Sequence, residues 1–255
     1  MRWLVTCALA VSVFSIVAGV PAARAVAPVA VTMGTTWDGP GHALQDIVDA
    51  YIGVPGAVNV HTDYVGAHVG DNDPFYWIDS QFPVMLVTTI AANSNRNVLG
   101  WYHETGVKPV LDGVSSGIIF PGGQPNGAAN AIVFPSGTQK FGFYLDTQVS
   151  VWTTTGKQDQ IFYTNRFLND IGPYGNGAVH APYDGDVQAL VFDVSRWKGA
   201  HTWLVCFEDT DSGLPVTSCC SGTDNDYNDL VFEIRANGAT PVKPTSFGAL
   251  KAAYH

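Results

Sequence analysis

The stretch Asp224-Asn225-Asp226-Tyr227-Asn228-Asp229-Leu230-Val231-Phe232-Glu233-Ile234 joins a polar run to an alternating apolar one. Successive side chains of a strand point to opposite faces, so Leu230, Phe232 and Ile234 share one face and the segment reads as a half-buried strand. Outward from it, runs of the same kind recur at 202–207, 188–194, 141–145, 98–102, 84–90, 58–61 and 29–33. Each is short, β-branched or aromatic in character, and bounded by Gly, Pro, Asn or Asp. The run 84–90 is apolar on both faces, which suits a central strand. Helical spacing occurs once, where Ala43-Leu44, Ile47-Val48 and Tyr51-Ile52 recur at three and four residues with Gln45, Asp46 and Asp49 opposite. This predicts one short amphipathic helix near the N-terminus. Many short strands without strand-helix alternation predict an all-β fold, an antiparallel β-sandwich of jelly-roll-like kind.

Composition agrees with that class. Of 255 residues, 46% are hydrophobic and 13% charged, which excludes disorder and collagen-like repetition. Asp accounts for 19 of the 22 acids, leaving only Glu104, Glu208 and Glu233. Asp favours caps, turns and metal loops over helix interiors, so the imbalance points to a turn-rich, helix-poor chain. A net charge of −10 and the scattering of 12 Lys and Arg argue against a nucleic-acid partner, which needs a basic footprint. No linker-like shift in composition and no repeat of about 20 to 50 residues divides the chain. Segments 120–130 and 169–185 read as long surface loops inside one domain spanning 26–255, with a boundary near residue 125 as the alternative.

Residues 1–25 read as a cleaved secretory signal. Met1-Arg2 gives a positive start, 3–20 are almost wholly apolar, and Pro21-Ala22-Ala23-Arg24-Ala25 ends in an A-x-A pattern. Ala25-Val26-Ala27 repeats the pattern, so the cut falls after Ala25 or after Ala27. An uncleaved anchor is the alternative, for which this apolar run is near the lower length limit. Removing 1–25 takes Arg2, Arg24 and Cys7 but no acid, and shifts the net charge from −10 to −12. No later run is long and apolar enough to span a bilayer, and the tail 246–255 is neither hydrophobic nor basic. The expectation is a secreted, extracellular protein without a C-terminal surface anchor.

Glu208, Asp209, Asp211, Asp224, Asp226, Asp229 and Glu233 crowd the acids toward the C-terminus. Asp224, Asp226 and Asn228 stand at i, i+2 and i+4, a spacing that lets oxygen ligands converge on a hard cation. The beginning matches an EF-hand loop, but Asp229 occupies the place of the invariant Gly and Arg235 that of the bidentate Glu. A different calcium loop, completed by Glu208 and Asp209 from the end of the preceding strand, is the expectation. A hairpin of 202–207 with 229–234 would set those two acids at the same end as Asp224 and Asp226. Without a cation, so many carboxylates would repel one another. The alternative is that these Asp and Asn residues cap turns through their own backbone.

Trp203-Leu204-Val205-Cys206-Phe207-Glu208-Asp209, followed by Asp224-Asn225-Asp226-Tyr227-Asn228-Asp229-Leu230-Val231-Phe232, resembles the signature of the bacterial exported family named domain of unknown function 4114. That signature is a strand ending in E-D, then D-x-D-[FY]-N-D and an apolar strand. Phe141-Gly142-Phe143-Tyr144-Leu145 and Asn97-Val98-Leu99-Gly100-Trp101-Tyr102 resemble the family's F-G-F-Y-L and N-x-x-G-x-Y strands. Leu44-Gln45-Asp46-Ile47, with Asp63 and Trp77, is similar to the start of longer members. The likeness is strongest over 141–236. It implies a β-sandwich, a calcium site at Asp224, Asp226, Asn228 and Asp229 with Glu208 and Asp209, and a surface or matrix role without established chemistry. The stretch 210–223 is longer than the family's Gly-rich link, and 243–255 lacks the sorting segment that many relatives carry.

Cys206, Cys219 and Cys220 remain after signal removal. In an exported chain the expected disulfide joins Cys206 to Cys219 or Cys220, a loop closure worth about 3 kcal/mol. A vicinal Cys219–Cys220 bond or three free thiols are the alternatives, and the spacing does not suit zinc. Asp71-Asn72-Asp73, near Asp63 and Asp79, and Asp184-Gly185-Asp186 read first as polar turns and second as further metal sites. Gly113-Val114-Ser115-Ser116-Gly117 matches the nucleophile-elbow pattern, but Ile118-Ile119-Phe120-Pro121-Gly122-Gly123 after it does not suit the helix that an elbow needs. His103-Glu104 lacks a second His, no two His stand four apart, and Glu104 and Glu208 are the acids left for glycoside hydrolysis. Tyr76, Trp77, Trp101, Tyr102, Trp152, Tyr174 and Tyr183 offer rings for sugar stacking or else fill a core. The functional expectation is a secreted calcium-binding module, not an enzyme, with a structural, matrix or adhesive role toward an extracellular glycan, a matrix component or itself. A calcium-dependent hydrolase of extracellular polysaccharide is the alternative.

Overall fold

The computed structural model describes residues 31, 33–34, 38–65, 76–77, 81–89, 94–105, 107, 109–133, 140–153, 156–169, 187–210 and 224–235. In chain order these contain α1 (Leu44–Ile52), β1 (Tyr76–Trp77), β2 (Gln81–Thr89), β3 (Val98–His103), β4 (Ser116–Phe120) and β5 (Ala129–Val133). Then come β6 (Lys140–Thr153), β7 (Gly156–Tyr163), a 3-10 turn (Arg166–Asn169), β8 (Ala189–Asp193), α2 (Ser195–Lys198), β9 (Thr202–Phe207) and β10 (Leu230–Arg235). The strands form two antiparallel sheets. One runs β5-β2-β10-β9-β8; the other runs β1-β6-β3-β4, with β7 also paired to β6.

Alternation along β10 explains how the sheets meet. Leu230, Phe232 and Ile234 point into a core shared with Leu99, Trp101, Phe141, Phe143 and Leu145 of the other sheet. The ring of Phe232 lies 5.0 Å from that of Phe143, edge to face, which closes the gap between the sheets. Against β2, Val231 faces Thr88 and Phe232 faces Leu86, so Val87 is an extra residue and the strand bulges there.

The opposite face of β10 is not open to water. Leu44, Val48 and Ile52 of α1, with Val58, Val60 and Tyr64 after it, pack on Leu190, Phe192, Leu204, Cys206 and Val231 in a second core. This sheet is therefore covered on both sides, and every residue of β9 is buried. The helix ends at Gly53, whose φ of 80° suits a residue without Cβ and whose N–H donates to the Asp49 carbonyl at 2.8 Å. Residues 58–61, expected as a strand, form turns instead. Asp63 accepts the Asn59 N–H and the Asn59 side chain accepts the His61 N–H, so side chains take the bonds a ladder would need. Residues 31 and 33 of the predicted first strand also lie outside any strand.

Cys206 corrects a further expectation. Its thiol is free and wholly buried in the layer beneath α1, and that burial pushes its pKa well up. A bridge from Cys206 is not formed, because β9 turns this side chain into an apolar layer. Cys219 and Cys220 lie outside the described residues, as do the signal-like segment, Asp71, Asp73, Asp79, Asp184, Asp186 and Asp211. No helix among the described residues is long and apolar enough to cross a membrane.

Candidate metal centre

β9 runs out into Glu208 and Asp209, and 224–229 leads into β10. The register that pairs Leu230 with Phe207 therefore sets both acidic segments at one end of the sheet. There the carboxylates of Glu208, Asp226 and Asp229, all buried, each bring an oxygen within 4.8 Å of the others. Asp38, Asp224 and Asp226 form a second trio of the same closeness, so Asp226 belongs to both.

The backbone of the loop is unusual. Asn225 and Tyr227 adopt φ of 50° and 57°, a left-handed conformation that costs a bulky residue energy. Tyr227 is held there by burial of its ring in the layer beneath α1 and by its hydroxyl, which donates to the Val187 carbonyl at 2.7 Å. Its N–H in turn donates to Glu208 Oε2 at 3.3 Å. Asp229 Oδ2 accepts the Asp209 N–H at 2.7 Å, while the Asp229 carbonyl accepts the Thr89 hydroxyl at 2.9 Å.

Asn228 and Asp209 serve the cluster differently from the carboxylate trios. The Asn228 side-chain amide donates to Asp226 Oδ2 at 2.7 Å, Asp38 Oδ2 at 3.3 Å and the His42 carbonyl at 2.8 Å. Its amide nitrogen ties Asp226 to Asp38, while the atom that the spacing offers as an oxygen ligand is its Oδ1, which none of these bonds uses. Asp209 gives its backbone N–H to Asp229, and its carboxylate accepts from Asn97 Nδ2 at 2.9 Å and from the Thr210 hydroxyl at 3.4 Å.

Asp38 is the participant that sequence reasoning misses. It sits in Trp37-Asp38-Gly39-Pro40, an ordinary turn-like stretch far from the acidic motif. What brings it in is the docking of the N-terminal segment against the loop: the Gly34 N–H donates to the Asn225 carbonyl at 3.0 Å. A Cβ on Gly34 would stand 1.6 Å from the Asp224 carbonyl oxygen, so only glycine allows this approach.

Burial pushes the Asp229 carboxyl well above the ordinary range, and the charges of Asp209 and Glu208 push the same way. Asp209 is also raised, by burial first, against the opposing bonds from Asn97 and Thr210. Carboxylates so placed need a proton or a cation. An all-carboxylate oxygen set, without Cys or His in either trio, fits a hard cation such as calcium better than a thiophilic metal.

Other residues singled out by sequence have different places. Ser116 starts β4 and its hydroxyl accepts the Gly113 N–H at 3.2 Å, so a strand stands where an elbow requires a helix. Glu104 is buried and accepts the Asn165 side-chain amide at 3.0 Å. Trp101 lies in the inter-sheet core, and Tyr102 packs edge-on against Tyr163, 5.3 Å between centroids, so neither is a sugar platform. The side chains of Tyr76, Trp77 and Trp152, and all of Tyr174 and Tyr183, lie outside the described residues. Comparison with known proteins finds no matching family, no matching curated protein and no matching solved structure.

Proposed function

We propose that the chain is an exported calcium-binding module of jelly-roll-like type, with a structural, matrix or adhesive role toward an extracellular glycan or matrix component. The observation that carries the reading is the sharing of Asp226 by two carboxylate trios, one of them buried. A divalent cation there offsets the repulsion among Glu208, Asp226 and Asp229. Through Asp38 it also ties the N-terminal segment to the loop before β10. The signal-like residues 1–25 and the resemblance to an exported family support the location. Passage of the chain between sheets from β1 to β2, β2 to β3, β4 to β5, β5 to β6 and β7 to β8 supports the jelly-roll-like description.

Calorimetry in millimolar calcium and in excess chelator tests the cation. Melting rises with calcium if the reading holds, and identical curves refute it. A glycan array with and without calcium then separates roles: calcium-dependent retention of a glycan supports the module, and turnover supports a hydrolase.

A further inference from the structure

The carboxylates at the end of β9 and before β10 belong to one sheet, but a residue carried by the other sheet also touches them. Asn97, immediately before β3, is 3% exposed, and its Nδ2 donates to Asp209 Oδ2 at 2.9 Å. Its Oδ1 is buried as well and has no hydrogen-bond partner among the described residues. A buried amide oxygen without a donor is costly, and such groups are uncommon in folded proteins. Covalent geometry holds this oxygen within about 5 Å of Asp209 Oδ2.

Asp209 is bound into the acidic cluster on its other side. Its N–H donates to Asp229 Oδ2 at 2.7 Å. After burial, which acts first on each, the Asp209 charge raises the Asp229 carboxyl, and the charges of Asp224 and Asp38 add to the rise at Asp209. The carboxylate that Asn97 touches is thus within electrostatic reach of members of both trios. The turn that presents Asn97 is fixed from behind. The Gly123 N–H donates to the Ser94 carbonyl at 3.1 Å, and a Cβ on Gly122 would stand 2.4 Å from the Asn95 carbonyl oxygen, so the turn packs directly on the chain after β4. From Val98 onward the chain pairs with β6, with Val98 opposite Asp146.

Calcium takes about six to eight oxygens at about 2.3–2.6 Å, side-chain amide carbonyls among them, so two of its ligands stand up to about 5 Å apart. The oxygens of Asn97 and Asp209 meet that limit. A neutral oxygen also completes a coordination shell without adding to the repulsion among carboxylates. We propose that Asn97 Oδ1 is a ligand of the cation, beside Asp209, so that one ion joins the start of β3 in one sheet to the end of β9 and the start of β10 in the other. The inference rests on the calcium reading above and adds to it a neutral ligand and a clamp between the sheets.

Isothermal titration of calcium into the purified protein, stripped of metal with chelator, tests the ligand. The native protein binds calcium, Asn97→Leu binds it at least about tenfold more weakly, and Asn97→Asp, which keeps an oxygen at that place, binds at least as tightly as the native protein. In chelator the order differs, because Asn97→Asp loses the donor to Asp209 and adds a carboxylate, and so melts below the native protein. Melting curves verify that each variant folds. A residue that only positions Asp209 through its amide donor predicts instead that Asn97→Asp weakens calcium binding as Asn97→Leu does. That result, or an Asn97→Leu affinity equal to the native one, overturns the ligand and leaves the calcium reading standing; absence of calcium binding by the native protein overturns both. Hydrogen exchange of the native protein needs no variant. Calcium slows exchange at 97–99 together with 207–209 and 227–230, about tenfold or more, and protection confined to the latter two segments overturns the clamp.

Discussion

Asp226 sits in two carboxylate trios at once, so neutralising it relieves repulsion in both and takes a carboxylate from the proposed cation site in both. Asp226→Asn keeps the shape of the side chain. In chelator this variant melts at or above the native protein, while the calcium response falls by most of its about 1–3 kcal/mol. Calorimetry with and without calcium checks this, and a response kept in full contradicts it. Asp229 and Asp209 govern the pH behaviour. Their carboxyls are raised in the native state, first by burial, so the folded protein holds protons that the unfolded chain releases near about pH 3.9. Stability then falls as pH rises from that unfolded value through the raised native ones. In chelator, acidification from about pH 7 toward the unfolded value of about 3.9 therefore stabilises the protein through these two groups, Asp229 first, and calcium at neutral pH reduces the difference by favouring the ionised forms. Urea midpoints across that range measure it, and a midpoint lower at pH 5 than at pH 7 in chelator opposes it.

Elements differ in how openly the sequence declares them. Alternation in 230–234 states which side of β10 enters the inter-sheet core, because Leu230, Phe232 and Ile234 leave no other choice. It does not state that the far side is covered too. Val231 there lies under the α1 layer, and Glu233, counted with the acidic cluster by sequence, instead accepts bonds from the Tyr51 hydroxyl and the Arg235 guanidinium. Strands β4 and β5 escape pattern reading because Gly117, Ala129, Asn130 and Ala131 carry no apolar alternation; pairing with β3 and β2 makes them strands. Helix α1 shows its weight by substitution. Leu44 is 1% exposed, so Leu44→Ala leaves a cavity and costs about 2–5 kcal/mol, whereas Val54→Ala just beyond the helix, at 48% exposure, costs less than about 0.5 kcal/mol. Urea unfolding of the two variants compares them directly. Equal losses would mean that α1 is not packed as described.

At the scale of the whole molecule, the candidate site is half legible. Glu208, Asp226 and Asp229 belong to one hairpin-like end, and their density and spacing point to that end directly. Asp38 comes from the other end of the chain and joins only because the N-terminal segment folds over the sheet, a long-range contact without local signal. A cation bound there should therefore stabilise the fold as a unit. Extracellular modules bind calcium with dissociation constants of about 0.1–1 mM, so about 10 mM calcium adds about 1.4–2.7 kcal/mol. For a protein of this size, that raises the melting temperature by about 3–11 °C. Above the dissociation constant, each tenfold rise in free calcium adds about 1.4 kcal/mol per bound ion, so the slope of stability against the logarithm of calcium counts the ions held. Asp38→Asn removes one carboxylate from the second trio and leaves Glu208, Asp226 and Asp229 intact, so it lowers the calcium response without abolishing it. Titrating calcium against melting temperature in the native protein and in Asp38→Asn measures both slopes. An unchanged response would show that the N-terminal segment takes no part in holding the cation, and a response abolished altogether would place the ion in the second trio alone.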